Sequence, residues 1–176
     1  EIVGSLLRKR RRTLATAESC TGGLLAKMIT DIPGSSEWFR GGWIVYSNDL
    51  KRRELGVPAE TLARHGAVSK PVALALAASA LRKTGSDFAL STTGVAGPGG
   101  GTAGKPVGLV WIGMAQRVGG RLVTRAEEFR MAGDRSMVRD RAAKSALNML
   151  RLALLQPRQG AGSAHRHSSM PNRVRS

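Results

Sequence analysis

Short β-prone runs alternate with helix-type segments along almost the whole chain, and this alternation is what most constrains its fold. Strands separated by helices can pair in parallel, whereas the last two runs flank Gly119-Gly120 and are predicted to form a hairpin. We therefore predict an α/β sheet covered by helices on both faces, without an internal repeat or a domain boundary. The predicted strands span residues 13–17, 38–47, 87–93, 107–115 and 122–130.

Capping residues and glycines set the boundaries of the predicted helices. Gly41-Gly42 mark a bend in the second strand, and residues 94–108 form a loop with seven glycines. The helix that begins at Asn48 or Asp49 is short, and the final helix is the longest. The predicted helices span residues 1–11, 22–29, 48–55, 61–65, 71–83 and 134–155.

The charge of the chain is strongly basic and unevenly distributed. The 28 Lys and Arg outnumber the 12 Asp and Glu, which gives a net charge of +16 over 176 residues. Residues 157–176 contain four Arg and no acid, and they lack a periodic apolar face. We predict one folded domain over 1–156 and a disordered basic tail over 157–176.

Several classes of protein are excluded by composition. The single cysteine, Cys20, rules out an internal disulfide and a cysteine-rich zinc site, and no metal site is predicted. The longest apolar stretch, residues 71–81, is about half of what a membrane span needs. At the start of the chain the basic residues follow the apolar ones, the reverse of a secretory signal. A soluble, cytoplasmic protein is expected.

The glycine-rich loop contains two nucleotide-binding motifs by spacing alone. Residues 99–105 (GGGTAGK) match a P-loop, but Pro106 stands where Ser or Thr must hold Mg²⁺, and a strand-type segment follows. Gly99, Gly101 and Gly104 fit G-x-G-x-x-G, again without a following helix. The loop is either a flexible surface loop or a segment whose bare backbone approaches a ligand after a buried strand.

A second glycine motif, residues 15–23 (ATAESCTGG), joins a short strand to a helix. Ser19 would lie where free backbone N–H groups of the helix start point outward, a position that suits a phosphate or an oxyanion. The alternative is that Ser19 and Thr21 only cap the helix.

The segment 45–51 (VYSNDLK) contains Tyr46, the one tyrosine of the chain. Asn48 and Lys51 are three residues apart and share a helix face. Lys51 could act as a base if burial and the neighbouring Arg52 and Arg53 lower its pKa. The alternative is a surface lysine that keeps its charge in water.

Taken together, these segments resemble the CinA C-terminal-domain family, which includes amidases of nicotinamide mononucleotide (NMN). The resemblance runs in order over most of the predicted domain. The matching strings are TAESCTGG (16–23), ITDIPGSSEWF (29–39), VYSNDLK (45–51), LGVPAETLARHGAVS (55–69), TGVAGPGGG (93–101), KPVGLVW (105–111) and GDR (133–135).

This resemblance implies a three-layer α/β/α sandwich with a mixed, mostly parallel sheet of about five strands. It also implies hydrolysis of the NMN carboxamide to nicotinate mononucleotide and ammonia, without a metal or cofactor. The family's proposed nucleophile, base and tyrosine correspond here to Ser19, Lys51 and Tyr46. A homo-oligomer, most simply a dimer, is the expected assembly.

The substrate needs further contacts, which we predict from the neighbouring residues. Arg135 is the first choice for the phosphate, unless it pairs with Asp134, and Arg139 lies one helical turn on. The other predicted contacts are Cys20, Thr21, Gly22, Gly23, Asn48, Thr93, Gly94 and Gly97.

Two rival interpretations stay open at this point. Cys20 with His65, the one histidine before residue 157, could form a nucleophile–base pair. The domain could also be a non-catalytic nucleotide- or nucleic-acid-binding module, whose main feature is its basic charge and whose binding would depend steeply on salt. Nucleic acid is the less expected partner, because no aromatic side chains interleave with the cluster Arg8–Arg12.

Overall fold

Five strands form one open sheet in the order β2-β1-β3-β4-β5 in the computed structural model, which describes residues 1–156. The first three strands are parallel, β4 is antiparallel to β3, and β5 is antiparallel to β4. All strands except β4 therefore point in the same direction, and the predicted mixed, mostly parallel sheet is confirmed. The strands are β1 (Leu14–Glu18), β2 (Phe39–Ile44), β3 (Phe88–Gly94), β4 (Leu109–Val118) and β5 (Arg121–Arg130).

Helices cover both faces of the sheet, which confirms the three-layer α/β/α architecture. α1, α2 and α6 pack together on one face, and α5 lies across the other with α3 and α4 against it. A buried apolar cluster fills each of the two interfaces. The helices are α1 (Ile2–Arg10), α2 (Leu24–Thr30), α3 (Asn48–Leu55), α4 (Ala59–His65), α5 (Lys70–Thr84) and α6 (Arg135–Leu155), with one 3₁₀ turn at Ser35–Glu37. The tail predicted over 157–176 lies outside the described residues.

Two pairs of glycines with positive φ set element boundaries. α2 begins at Leu24 rather than at residue 22, because Gly22 and Gly23 have φ values of 58° and 93°, which a helix does not allow. Gly119 and Gly120 also have positive φ and make the two-residue turn of the predicted β4–β5 hairpin. The second strand ends at Ile44, three residues before the predicted end at 47.

The carboxyl ends of β1, β2 and β3 lie side by side because these strands are parallel neighbours. In this register Glu18 at the end of β1 pairs with Ile44 of β2 and Thr92 of β3. The segments that follow the strands therefore emerge at one edge of the sheet, where ligand sites of α/β proteins open. These are the segments that carry most of the predicted site residues.

Asp87 joins the starts of β1 and β3. Its carboxylate accepts hydrogen bonds from the Thr13 backbone N–H at 2.9 Å and from the Thr13 hydroxyl at 3.0 Å, and it pairs with the Arg12 guanidinium. Burial alone would raise the pKa of Asp87, but these hydrogen bonds outweigh it and hold the pKa below its usual value.

We expect Asp87→Asn to destabilise the fold at neutral pH by about 1–3 kcal/mol, because it removes a charged acceptor from this joint. A depressed folded-state pKa contributes stability above the unfolded pKa of about 3.9, and this stability is lost as the pH falls through the folded pKa. The deficit of the variant should therefore shrink in acid. Urea unfolding at several pH values measures it, with Asp49→Asn at an exposed i,i+4 pair as the control. If Asp87→Asn and Asp49→Asn lose the same unfolding free energy, Asp87 does not have this stabilising role.

Candidate active site

A pocket of about 290 Å³ opens at the carboxyl edge of the parallel strands. The segments after β1, β2 and β3, the turn between α4 and α5, and the start of α6 all contribute to it. A larger groove of about 780 Å³ lies between β5 and α6, but it combines surface charges with apolar side chains and has no buried lysine. The smaller pocket is lined by Ser19, Cys20, Tyr46, Asn48, Lys51, Ala67, Val68, Thr93, Gly94, Val95, Ala96, Gly97, Gly99, Gly100 and Arg135.

Ser19 follows β1 directly, at the point where the chain turns towards α2. Its backbone N–H donates to the Thr92 carbonyl at 2.9 Å, so the extended path of β1 continues for one more residue beside β3. The side chain is only 8% exposed. The residue lines the pocket, so its hydroxyl lies beside the space that a ligand would fill.

Lys51 is the largest of the fully buried side chains, with 2% of its surface exposed. α3 carries it, and the Ser47 hydroxyl begins that helix by accepting a hydrogen bond from the Leu50 N–H at 3.1 Å. Burial lowers the pKa of Lys51 from its ordinary value, since the charged form loses its hydration. Arg52 and Arg53, which we expected to contribute, are exposed, where water screens their charges.

Ser19 and Lys51 share the pocket but are not hydrogen-bonded to each other. Lys51 Nζ instead donates to the Val45 carbonyl at 2.9 Å. An amine that donates one N–H to a carbonyl keeps its lone pair free for another group when it is uncharged. Catalytic contacts of this kind are often longer before substrate binds.

Cys20 is buried beside Ser19, and its thiol is protonated at neutral pH. Burial is the main reason that its pKa rises to about 11. His65, its predicted partner, is exposed at the end of α4 and does not line the pocket. The geometry therefore gives no support to a Cys20–His65 pair.

We expect Cys20→Ala to keep most of the activity, and iodoacetamide to leave the wild type active at pH 7, because the thiolate is scarce at that pH. Residual turnover after an hour with the reagent measures this. Rapid inactivation with alkylation at Cys20 would contradict the assignment.

Tyr46 and Arg135 meet at the rim of the pocket. Arg135 Nη2 donates to the Tyr46 hydroxyl at 2.6 Å, and Nη1 donates to the Gly97 carbonyl at 2.9 Å. The predicted alternative, an ion pair with Asp134, is not formed, since that carboxylate caps α6 through the Met137 N–H at 2.9 Å. Arg135 is exposed and retains further N–H donors at the mouth of the pocket.

Some predicted substrate contacts use their polar groups inside the protein instead. The Gly22 N–H donates to the Ser19 carbonyl and the Gly23 N–H to the Glu18 carboxylate, so neither amide is free. The Thr21 hydroxyl bonds the buried Thr92 hydroxyl at 2.7 Å. Thr21, Gly22 and Gly23 do not line the pocket, so of the residues predicted to hold the oxyanion only Cys20 lies beside the cavity.

The polar side chains of Arg139 and Thr93 are also hydrogen-bonded to other parts of the protein. Arg139 donates from Nε at 3.2 Å and from Nη2 at 2.9 Å to the Thr21 carbonyl, and it does not line the pocket. The Thr93 hydroxyl donates to the Ala67 carbonyl at 2.8 Å and so fixes the turn before α5 against the pocket. Arg139 therefore supports the site from behind, whereas Thr93 lines the cavity and also holds this turn.

Sequence reasoning missed Glu18 and the pair Ala67 and Val68. Glu18 is 1% exposed, and its carboxylate accepts the N–H groups of Gly23, Leu25 and Ala26 at 2.8–3.0 Å. The available signal was an acidic residue just before a glycine-rich helix start, where it caps free amides. Ala67 and Val68 carry no chemical signal and reach the pocket through tertiary packing alone.

Clusters of three or more metal-ligating side chains are absent from residues 1–156. Over the same residues, every helix is too short or too polar to cross a membrane.

The chain is similar in sequence to known proteins. The nicotinamide-nucleotide amidohydrolase PncC of Escherichia coli K12 is 50% identical over 156 residues, covering 89% of this chain and 93% of that protein. A CinA-like protein of Chloroherpeton thalassium is 52% identical over 153 residues, covering 86% of this chain but only 36% of that relative. The chain thus spans little more than a third of some longer relatives.

Solved structures share the fold. The competence/damage inducible protein CihA of Agrobacterium tumefaciens superposes with a TM-score of 0.79 at 41% identity, covering 89% of this chain and 97% of that one. The model of the CinA C-terminal domain family matches residues 1–154. On these findings the chain belongs to the CinA C-terminal domain family.

Proposed function

We propose that this protein is an amidohydrolase that converts NMN to nicotinate mononucleotide and ammonia. The observation that carries the proposal is 50% identity to the E. coli nicotinamide-nucleotide amidohydrolase over 93% of that protein's length. The pocket adds chemical support, because a serine hydroxyl and a desolvated lysine line the same cavity. A homodimer remains part of the proposal and can be tested by light scattering.

In the first step Lys51 acts as the base. The Val45 carbonyl holds one N–H of the uncharged amine, so the lone pair is left to accept the Ser19 proton. Ser19 Oγ then attacks the amide carbon of the nicotinamide group. The amide of Cys20, which donates to no backbone carbonyl within residues 1–156, stabilises the negative oxygen.

In the second step the tetrahedral intermediate collapses. Lys51 returns its proton to the departing nitrogen, ammonia leaves, and an ester links Ser19 to the nicotinoyl group. Water, deprotonated by the same amine, attacks this ester and releases the pyridine carboxylate, with the proton passing back to Ser19. Protons and electrons balance without a redox partner.

Arg135 is the proposed seat for the substrate phosphate. It lines the pocket together with Gly99 and Gly100, whose amides have no backbone acceptor within 1–156. Asn48 borders the same cavity and can bond the ribose or the carboxamide. Tyr46 fixes the guanidinium through its hydroxyl.

The direct test incubates the purified protein with NMN and follows nicotinate mononucleotide by chromatography and ammonia by a coupled assay. We expect kcat/KM to fall in acid, since a protonated Lys51 cannot accept a proton, and to rise as the pH passes through the lowered folded pKa. The inflection must lie below 10.5, the ordinary value for lysine. If no product forms at any of the pH values tested, the proposal is contradicted.

A second candidate function rests on the net charge of +16. Within the basic cluster Arg8–Arg12, however, Arg8 pairs with Glu37, Arg12 pairs with Asp87, and Arg10 donates to the Gln156 carbonyl. These contacts occupy three of the five basic side chains of the cluster. Binding of a labelled DNA duplex that weakens steeply between 50 and 200 mM salt is the result that would favour a nucleic-acid module.

A further inference from the structure

Glu18 holds the turn 19–22, which carries Ser19, through buried hydrogen bonds. It is the last residue of β1, immediately before Ser19, and is almost completely buried. One carboxylate oxygen accepts the N–H groups of Gly23 and Leu25, and the other accepts that of Ala26. These bonds tie both ends of the turn 19–22 to a single side chain, because Glu18 precedes the turn and its amide partners follow it.

Arg139 of α6 forms hydrogen bonds to the same turn. Two of its guanidinium nitrogens converge on the Thr21 carbonyl, at 2.9 and 3.2 Å. A Cβ on Gly22 would lie 3.4 Å from Arg139 Nη2, so the guanidinium lies directly against the turn. Arg139 belongs to α6, far away in sequence, and its contact therefore fixes the turn relative to the helix layer.

We propose that Glu18 and Arg139 are positioning residues that hold the turn 19–22 so that the Ser19 hydroxyl faces the substrate. This proposal rests on the proposed function and changes the role of Arg139 from a substrate contact to a support. A carboxylate and a guanidinium hold the amides after the turn and the carbonyl within it, respectively. The amide of Cys20 belongs to the same turn, so the nucleophile and the proposed oxyanion donor move together.

Removing the hydrogen bonds of Glu18 or of Arg139 should lower the rate of the chemical step more than it weakens substrate binding. Small displacements of reacting groups cost on the order of 10²-fold in rate, whereas the Arg135 phosphate contact is left in place. Arg139→Gln removes the charge and one of the converging donors, and Glu18→Gln replaces one acceptor oxygen with an NH₂ group that faces an amide. Arg139→Lys keeps one charged donor and should recover part of the lost rate.

The test measures kcat and KM for NMN in the wild type and these three variants, with Lys144→Gln as a matched loss of one exposed cation from α6. We expect kcat to fall by about 30- to 100-fold in the Gln variants with KM changed less than about threefold. The control should match the wild type. A raised KM at normal kcat would show that Arg139 contacts substrate, and unchanged parameters would show a role in stability only; either result overturns the proposal.

A second readout separates this proposal from the choice of substrate. A fluorophosphonate ester reacts with an activated serine by forming an O–P bond as fluoride leaves, and the hydroxyl proton passes to the base. If the wild type fails to hydrolyse NMN, the proposed function fails, and the labelling rate at Ser19 alone decides the roles of Glu18 and Arg139. Slower labelling in both Gln variants supports positioning, and equal rates overturn it. If Glu18→Gln does not fold, the Arg139 variants still give the answer.

Discussion

Replacing Ser19 with Ala should lower kcat for NMN hydrolysis by at least about 10³-fold while the fold stays intact, because the attacking oxygen is removed. The side chain is small and lines the pocket, so stability should change little. Steady-state ammonia release measures the loss. Ser36→Ala, at an exposed position after the α2 turn, is the matched control.

Lys51→Met should cause a loss of similar size, because it keeps the volume of the side chain and removes the base. The double variant should be no worse than the more damaged single variant, since the two groups act as one unit. Additive losses, or near-normal kcat in either folded single variant, would contradict the paired roles.

The same substitution should change how stability depends on pH. The folded-state pKa of Lys51 lies below 10.5, so the unfolded chain binds more protons than the folded one between these values. The wild type therefore loses stability as the pH is lowered from about 10.5 towards the folded pKa. Lys51→Met should remove this slope, and chemical denaturation at several alkaline pH values reports it.

Arg135→Ala should reduce kcat/KM for NMN by about 10²-fold or more, because charge-assisted hydrogen bonds to a phosphate are worth about 1.5–3 kcal/mol each. The decisive comparison is with nicotinamide riboside, which has no phosphate. We expect the wild type to prefer NMN strongly and the variant to lose most of that preference.

Arg141→Ala is the control for Arg135→Ala. It removes an exposed guanidinium further along the same helix, and Arg141 does not line the pocket. Part of the Arg135 effect should fall on kcat, because the guanidinium also holds the Tyr46 hydroxyl and the Gly97 carbonyl. An Arg135 variant that hydrolyses both compounds in the wild-type ratio would show that the phosphate binds elsewhere.

Local signals in the sequence predicted the elements, since turn glycines and capping residues act within a few positions. Gly119-Gly120 fixed the hairpin, and Asp134 does cap the last helix. The roles predicted for Ser19 and Lys51 came from the resemblance of their motifs to a family, and the structure places both residues in one pocket. The partners of Arg139 and Thr93 could not be predicted, because they depend on how α6 and the α4–α5 turn pack against the sheet.

The start of the last helix reaches every strand-end segment of the pocket. Arg135 bonds the segments that follow β2 and β3, and Arg139 bonds the turn that follows β1. During synthesis, Ser19 and Lys51 therefore leave the ribosome long before Arg135 and Arg139. A chain that stops before residue 135 would contain Ser19 and Lys51 without these contacts, and we expect it to be inactive towards NMN.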